Sequence, residues 1–597
     1  MNFDWTDFLF GRGAEILALA TRYLVPLLAV LILLRCMRSM LSERYEPETW
    51  AYLYLPDETL LPLRHWECIL GRARSCDARL ESDTVQKTHA VLMRSADGDW
   101  RVYSLGKAHT EVNGEPVGEE GLPIADADVL KLGRIPCRFV DLTEEERAGL
   151  LQYRHEPGRR VRPSGTFFYL TVLQILLAFQ QMILNPDADG SVALAFAALC
   201  CMQWAYFFIL RALGTTGFEA DTLAFFLTTL GLSVVASSTP ETMLEQLIFI
   251  LAGIVAFIVL SLWTRDLTRV KKLRWPMGIA ALLLLAATML LGEVINGARN
   301  WIVIGGFSVQ PSEFVKVCYI YVGAATLDRL FVNRNLLLYI GFSAACVGAL
   351  ALMGDFGTAL IFFVTFLVIA FMRSGSFATT FLAIGGAAIA VMLILTVKPY
   401  IADRFATWGH VWDDVYGAGW QQARAMSAAA SGGLFGQGAG RGWLVDIFAG
   451  DADMVFGVLC EEMGLITALC AMAAVVVMAL FVVKNSAANR SSYYAIAAAA
   501  SVSMMMVQMG LNVFGTMDIL PFTGVTFPFV SHGGSSLLSC WLLLAFIKAC
   551  DTRANASFAV KRPERFTGGV GVEPYEGLPP TRPDEPEWFL ENGGDRR

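Results

Sequence analysis

The chain has 597 residues, of which 55% are hydrophobic and 17% charged, where a soluble domain carries about 25% charge; its mean hydropathy is +0.51. That balance excludes a wholly soluble globule. The net charge of -8 is a poor guide, because acidic residues concentrate in the soluble parts, and with no basic stripe interleaved with aromatics nothing suggests nucleic-acid binding.

In chain order, the first apolar run is Leu17 to Leu34. Arg35 and Arg38 follow it in place of a small-residue cleavage site, so residues 1–42 read as an uncleaved membrane anchor. Residues 45–142 are polar and strand-like. Residues 166–550 are almost continuous membrane, with apolar runs long enough to cross a hydrocarbon core of about 30 Å. Spans are expected at Thr166–Leu184, Val192–Leu210, Thr222–Ala236, Leu244–Leu262, Met277–Leu291, Phe314–Leu327, Leu336–Leu352, Thr358–Phe371, Phe377–Val397, Val455–Val483, Tyr493–Val513 and Leu537–Ile547. With the anchor, this makes a mainly α polytopic membrane protein of about 13 transmembrane helices, carrying a small all-β insertion near the N-terminus. Residues 551–597 are rich in Pro, Gly and charge and are expected to form a disordered cytoplasmic tail. The 12 cysteines show no paired spacing and mostly sit in apolar runs, where they read as small hydrophobes.

Sidedness follows from basic residues in the short connections. Arg265, Arg269, Lys271, Lys272 and Arg274 form one cluster, Arg329 and Arg334 a second, Lys484 and Arg490 a third. All three are expected in the cytoplasm, and alternation puts the β-rich region and the tail with them. The N-terminus and the Lys398 to Asp453 segment are then outside. That segment is long for a connection, and long ordered loops tend to be functional.

Within 45–142, Val91-Leu-Met, Trp100-Arg-Val-Tyr and Val129-Leu-Lys-Leu read as strands and Asn113-Gly114 as a tight hairpin turn. The pieces Gly71-Arg72, Thr88-His89-Ala90, Thr110-Glu-Val-Asn113-Gly114 and Asp128-Val-Leu-Lys-Leu-Gly133 resemble a forkhead-associated (FHA) domain, a β-sandwich that binds phosphothreonine peptides. Such binding needs a guanidinium and further donors around the dianion. The resemblance implies Arg72, Lys87, Thr110 and Asn113 as phosphopeptide contacts and a phosphothreonine protein as partner. The chain departs from the pattern at Gln86-Lys87-Thr88-His89, where the family has Ser-Arg-x-His, and at Ala108-His109-Thr110, where it has Asn-Gly-Thr. His89 reads as a structural residue.

The membrane region carries polar clusters, and a charge at membrane depth costs about 2.5–3.5 kcal/mol on insertion scales. They are Gly297-Ala-Arg299-Asn-Trp301-Ile, Gln310-Pro-Ser-Glu313-Phe-Val-Lys316, Gly354-Asp355-Phe-Gly-Thr358, Gly417-Ala-Gly-Trp-Gln421 and the Gly-rich Ser431–Gly442. Asp451-Ala-Asp453-Met-Val-Phe, Glu461-Glu462-Met-Gly464 and Pro528-Phe-Val-Ser531-His-Gly533-Gly534-Ser535-Ser follow. Glu313 and Lys316, three apart, share a helix face; an ion pair that only solves a burial problem is the alternative to a binding role. Gly436-Gln-Gly-Ala-Gly440 lacks the Lys-Ser/Thr of a nucleotide loop. In this order the clusters resemble the SEDS family (shape, elongation, division and sporulation), which includes RodA, FtsW and SpoVE. The family's second Arg is Asn300 here, the His before its Thr-Asp is Asp451, the Thr is Ala452, and the Tyr of its Ser-Tyr-Gly-Gly is His532.

The resemblance implies a peptidoglycan glycosyltransferase that polymerises lipid II, working with a class B penicillin-binding protein as transpeptidase. Asp453 is implied as the general base, since an acceptor hydroxyl must lose a proton and a carboxylate suits that task. Arg299, Lys316, Arg404 and Arg441 are candidates for steadying the leaving pyrophosphate. Trp301, Gln310, Glu313, Asp355, Gln421, Glu461, Ser531, Gly533, Gly534 and Ser535 complete the implied substrate site. No cofactor is certain; Asp451 and Asp453 are candidates for a divalent cation. The alternatives are a lipid II flippase and a non-catalytic cell-cycle scaffold regulated by phosphorylation.

Overall fold

The computed structural model describes residues 12–41, 48–73, 76–95, 97–105, 108–118, 120–153, 161–185, 187–295, 298–304, 307–326, 333–374, 407–486 and 488–551, with short pieces between 377 and 388. The chain forms two compact units, one built on Tyr45–Gly158 and one on Met1–Arg44 with Arg159–Ala559. Helix α1 (Arg12–Leu41) thus belongs to the polytopic unit and is more than a separate anchor. Thr21 accepts from Gln180 at 2.8 Å, Ser39 donates to Glu219 at 2.6 Å, and the Leu41 carbonyl accepts from Lys484 at 2.6 Å.

The other unit is a β-sandwich, as expected. Its strands are β1 (Ala51–Tyr54), β2 (Leu60–Leu63), β3 (Glu67–Gly71), β4 (Ala78–Arg79), β5 (Ala90–Arg94), β6 (Trp100–Ser104), β7 (Thr110–Val112), β8 (Glu115–Pro116), β9 (Leu122–Ile124), β10 (Val129–Leu132) and β11 (Ile135–Asp141). One sheet runs β2-β1-β11-β10-β7-β8 and the other β4-β3-β5-β6-β9. Alternate residues point inward, so Leu130 and Leu132 on β10 join Leu53, Leu70, Leu92, Val102 and Phe139 in one core. Asn113 and Gly114 both have positive φ, 52° and 89°, the geometry of a type I′ turn between β7 and β8. Helix α2 (Glu144–Tyr153) closes the unit. It starts on a reciprocal cap in which Thr143 N–H donates to Glu146 at 2.7 Å and Glu146 N–H donates to the Thr143 hydroxyl at 3.3 Å.

The polytopic unit continues with α3 (Pro163–Leu184), α4 (Gly190–Ala212), α5 (Glu219–Ser238), α6 (Met243–Thr264) and α7 (Leu267–Leu291). A hairpin sheet follows, β12 (Glu293–Ile295), β13 (Ala298–Ile304) and β14 (Phe307–Val309), then α8 (Pro311–Thr326), α9 (Asn333–Met353) and α10 (Phe356–Ser374). The last helices are α11 (Trp420–Gly432), α12 (Val455–Ser486), α13 (Ser492–Thr516) and α14 (Gly534–Ala549). Among the described residues eight helices are long and apolar enough to cross a membrane, and three shorter ones are apolar. Each expected span falls on a described helix except Phe377–Val397, most of which lies outside the described residues, as does the tail after 551.

Helix α7 starts ten residues before the expected Met277, capped by Asp266, which accepts from Thr268 N–H at 2.9 Å. Arg269, Lys271, Lys272 and Arg274 therefore occupy its first helical turns, and Arg265 of the cluster stays in the connection after α6. α5 is the central helix, 94% buried over its apolar window against 17% for α7. Its polar face is bound by glutamines of α3: Gln174 donates to Thr229 at 3.0 Å and Gln181 to the Ser233 carbonyl at 2.8 Å. Such bonds between membrane helices contribute about 0.6 kcal/mol each on average.

Polar residues at the helix ends gather in two groups. One joins the starts of α5 and the ends of α12 and α14 with the end of α1. There Lys548 pairs with Asp221 at 2.5 Å, and Tyr206 donates to Asp221 at 2.7 Å. The other group, at the opposite helix ends, holds most of the residues singled out by sequence.

Candidate functional site

Asp453 sits in an irregular turn before α12, half-buried. The turn forms because Asp453 N–H bonds the Ala449 carbonyl at 2.9 Å, with Ala449 at φ 59°. Two neighbours hold its backbone. Asn512, near the end of α13, donates to the Asp453 carbonyl at 2.9 Å and to the Val525 carbonyl at 2.8 Å. Ser531 donates to the Ala452 carbonyl at 2.6 Å and accepts from Phe527 N–H at 2.8 Å. The carboxylate faces Gly524, where a Cβ would lie 3.2 Å from Asp453 Oδ2. Gly524 also has φ 66°, so the position favours glycine both for its backbone and for the space it leaves beside the carboxylate. Asp451 accepts from Ser238 at 3.0 Å and contacts His532 Nδ1 at 2.8 Å. Burial pushes the Asp451 carboxyl up, but the bond and charge of His532 and the Ser238 hydroxyl outweigh it and hold the carboxyl below its usual range.

A second polar group lies at the start of α8 and α10. Asp355 caps α10 by accepting from Thr358 N–H at 3.1 Å. Its other oxygen receives Asn300 at 3.3 Å and Gln310 at 3.4 Å. Gln310 N–H reaches the Ser535 hydroxyl at 3.4 Å. The segment before α14 links this group to Asp453. Val525 and Thr523 pack on Gly357, two residues beyond Asp355, while Gly524 between them faces Asp453. Gly533 and Gly534 lead into α14, and a Cβ on Gly534 would clash with the Phe249 ring.

The Gly-rich loop packs on a break in α12 at Gly464, whose φ is 86°. A Cβ there would stand 2.5 Å from the Gly436 nitrogen. Glu461 accepts from Trp443 N–H at 3.2 Å and Leu444 N–H at 3.0 Å, and Glu462 from Ser237 at 2.8 Å and Gly442 N–H at 3.4 Å. Both carboxylates are buried. Glu461 therefore shapes the loop that carries Arg441.

Glu313 and Lys316 form a fully buried pair at 2.6 Å, 3% and 1% exposed. Ser539 of α14 donates to the second Glu313 oxygen at 2.6 Å. The pair looks toward a neighbouring helix, and Lys316 has a committed partner. Arg299 is exposed on β13 and donates to the Met289 carbonyl at 3.0 Å. Trp301 is half-buried on the same strand, opposite Glu293. Arg441 is exposed, and Gln421 donates to the Phe448 carbonyl at 3.1 Å. Arg404 lies outside the described residues. No group of three or more His, Cys, Asp or Glu side chains is placed for a metal among the described residues.

Sequence reasoning did not single out Asn512, Ser238 or Glu462 as site residues. The available signal was an Asn and a Glu in apolar helices, which marks functional positions by default.

In the β-sandwich unit, Arg72 and Lys87 are exposed on adjoining loops. Arg72 N–H donates to the Gln86 carbonyl and Ala73 N–H to the Lys87 carbonyl, both at 2.9 Å. The Arg72 guanidinium meets Asp83 at 2.8 Å, with Asp83 fully exposed. Thr110 is buried, its hydroxyl on Ser104 at 3.1 Å. Asn113 bonds Asp128 at 2.8 Å and Val129 N–H at 2.9 Å, bracing the turn before β10. His89 is buried as expected of a structural residue. It accepts from Gln86 N–H through Nδ1 and contacts the His109 carbonyl through Nε2, each at 3.1 Å. Burial lowers its pKa below the usual histidine value.

Residues 222–556 match the family described as cell cycle protein, that of FtsW, RodA and SpoVE, and residues 68–133 match the FHA domain. The peptidoglycan glycosyltransferase RodA of Mycobacterium tuberculosis is 27% identical over 340 residues, 54% of this chain and 71% of that protein. The probable peptidoglycan glycosyltransferase FtsW of Coxiella burnetii is 31% identical over 282 residues, 45% of this chain and 74% of that one. The stage V sporulation protein E of Bacillus subtilis is 30% identical over 254 residues, 41% and 69%.

Proposed function

The chain belongs to the FtsW, RodA and SpoVE family of cell cycle proteins, and from that premise we propose that it is a peptidoglycan glycosyltransferase polymerising lipid II into glycan strands at the outer face of the cytoplasmic membrane. The observation that carries the chemistry is the Asp453 carboxylate, beside the space left by Gly524 and on a backbone held by Asn512. Asp453 takes the proton of the acceptor sugar hydroxyl, whose oxygen attacks the anomeric carbon of the donor. The bond to undecaprenyl pyrophosphate breaks, and the pyrophosphate leaves with the electron pair. Arg299 and Arg441, both exposed, are assigned to steadying its charge. Lys316 is committed to Glu313 and is left out of that role. The direct test is polymer formation from lipid II by the purified protein, with and without the class B penicillin-binding protein proposed as its transpeptidase partner. A flippase makes no polymer in detergent.

The Asp453 end of the bundle is assigned to the outside and the basic start of α7 to the cytoplasm, which also places the FHA domain and the chain after α14 inside. Tyr416 is 91% exposed in the outer segment, and Asp97 is exposed in the FHA domain. In a background with the exposed Cys201 replaced, Tyr416→Cys is expected to react with an impermeant thiol reagent on intact cells and Asp97→Cys only after lysis. Labelling of Asp97→Cys from outside overturns this topology.

The FHA domain is assigned the binding of a phosphothreonine protein through Arg72 and Lys87. Arg72→Ala removes charged hydrogen bonds of about 1.5–3 kcal/mol. It is expected to weaken a phosphothreonine peptide by at least about tenfold and to leave polymerisation unchanged. If wild-type protein binds no member of a phosphothreonine peptide library, the domain is not a phosphate reader.

A further inference from the structure

The side chains of His532 and Asp451 are where the chain departs from the family pattern, which has Tyr at the first position and His at the second. They are 81 residues apart and look in sequence like two independent losses, but in the fold they are one contact. His532 Nδ1 lies 2.8 Å from Asp451 Oδ2, and His532 N–H donates to the Asp451 carbonyl at 3.0 Å. The next residues on each side also meet, Ser531 donating to the Ala452 carbonyl at 2.6 Å. Ser238, at the end of α5, donates to the same Asp451 oxygen at 3.0 Å. The Asp451 carboxylate thus gathers three segments: the end of the central helix, the turn bearing Asp453, and the residues entering α14.

We propose that His532 and Asp451 form a latch that positions Asp453 by fixing its turn to the segment before α14. Three observations support it. Asp453 is in an irregular turn and not in the body of a helix, so its aim depends on what holds residues 451–453. The bond between His532 and Asp451 has the length of a charge-assisted hydrogen bond. The segment fixed by the latch also carries Gly524, which faces the Asp453 carboxylate, so loosening it shifts both walls of that space. Displacing a reacting group by about 1 Å costs up to 10²-fold in rate. His532 and Asp451 are positioning residues here; neither is assigned a contact with substrate.

The latch rests on the glycosyltransferase reading, and its test separates the two. Full-length protein is assayed for polymerisation as wild type, His532→Ala, Asp451→Ala, the double Ala variant, His532→Asn and Asp451→Asn. Each single Ala variant is expected to lower kcat about tenfold with KM changed by less than about twofold. The double variant should be no slower than the slower single one, because one contact can be lost only once. The Asn variants keep a donor or an acceptor and should recover kcat to within about threefold of wild type. Ala variants within about twofold of wild-type kcat, or effects that multiply in the double variant, overturn the latch. If wild-type protein makes no polymer, the glycosyltransferase reading fails, and the same cycle is read as melting temperature. Non-additive shifts then uphold the latch and additive shifts refute it.

Discussion

Asp453→Asn is expected to insert and melt like wild type and to polymerise lipid II about 10²–10⁴ times more slowly, the range a positioned general base contributes. The substitution keeps the shape and hydrogen-bonding capacity of the side chain. Asn is as good as Asp at a helix start, so the cost to stability is a few tenths of a kcal/mol. The backbone bonds from Asn512 and Ser531 go to the Asp453 and Ala452 carbonyls and are untouched by the change. What is lost is the proton acceptor. The start of α12 favours the ionised carboxylate, since a helix N-terminus stabilises negative charge by about 0.3–1 kcal/mol. The measurement is the initial rate of glycan polymer formation by purified protein, beside its melting curve. Polymer at near wild-type rate from Asp453→Asn removes Asp453 as the base. Asp355 is then the next carboxylate to try, because it is only half-buried where Glu313 and Glu461 are buried.

Lys316→Met should destabilise the protein by about 3–5 kcal/mol, the cost of leaving one member of a buried ion pair without the other. Glu313 would keep only the Ser539 hydroxyl, too little for a carboxylate at membrane depth. The double variant Glu313→Leu with Lys316→Met should recover most of that loss, because an apolar pair of similar volume carries no desolvation cost. Melting temperatures of the three proteins in detergent decide it. A Lys316→Met protein that melts like wild type sinks the description of the pair as a buried structural contact. Activity of the double variant then separates the two uses of the pair. If stability and polymerisation return together, the pair serves packing between α8 and α14; if stability returns without polymerisation, it serves the substrate as well.

Some of this was fixed locally and could be read from the sequence. A membrane span is a property of about 20 consecutive residues, so the helices from α3 to α10 and from α12 to α14 were legible, within a few residues. α7 was the exception in extent: charged Arg269, Lys271, Lys272 and Arg274 and Pro276 masked its first turns, which the Asp266 cap and the helix backbone accommodate. The Asn113–Gly114 turn was legible because positive φ at two successive positions selects that pair. Two elements escaped for lack of a span-like signal. α11 is an Ala- and Ser-rich helix between glycines, and the β12–β14 hairpin has Trp301-Ile-Val-Ile in a run that reads as neither strand nor span.

The sequence by itself marked the polar residues a membrane would not tolerate without a reason, and it placed them in families of motif. It did not assign the reasons. Glu313, Glu461 and Asp453 are alike as carboxylates in apolar surroundings, yet Glu313 is neutralised by Lys316 and Ser539, 226 residues away, and Glu461 is filled by backbone amides of the Gly-rich loop. Asp453 is half-buried in a turn before α12, with Gly524 beside its carboxylate. Which groups reach a buried carboxylate depends in part on segments far off in the chain, Ser539 of α14 for Glu313 and the loop before α12 for Glu461. Only the tertiary structure brings them together.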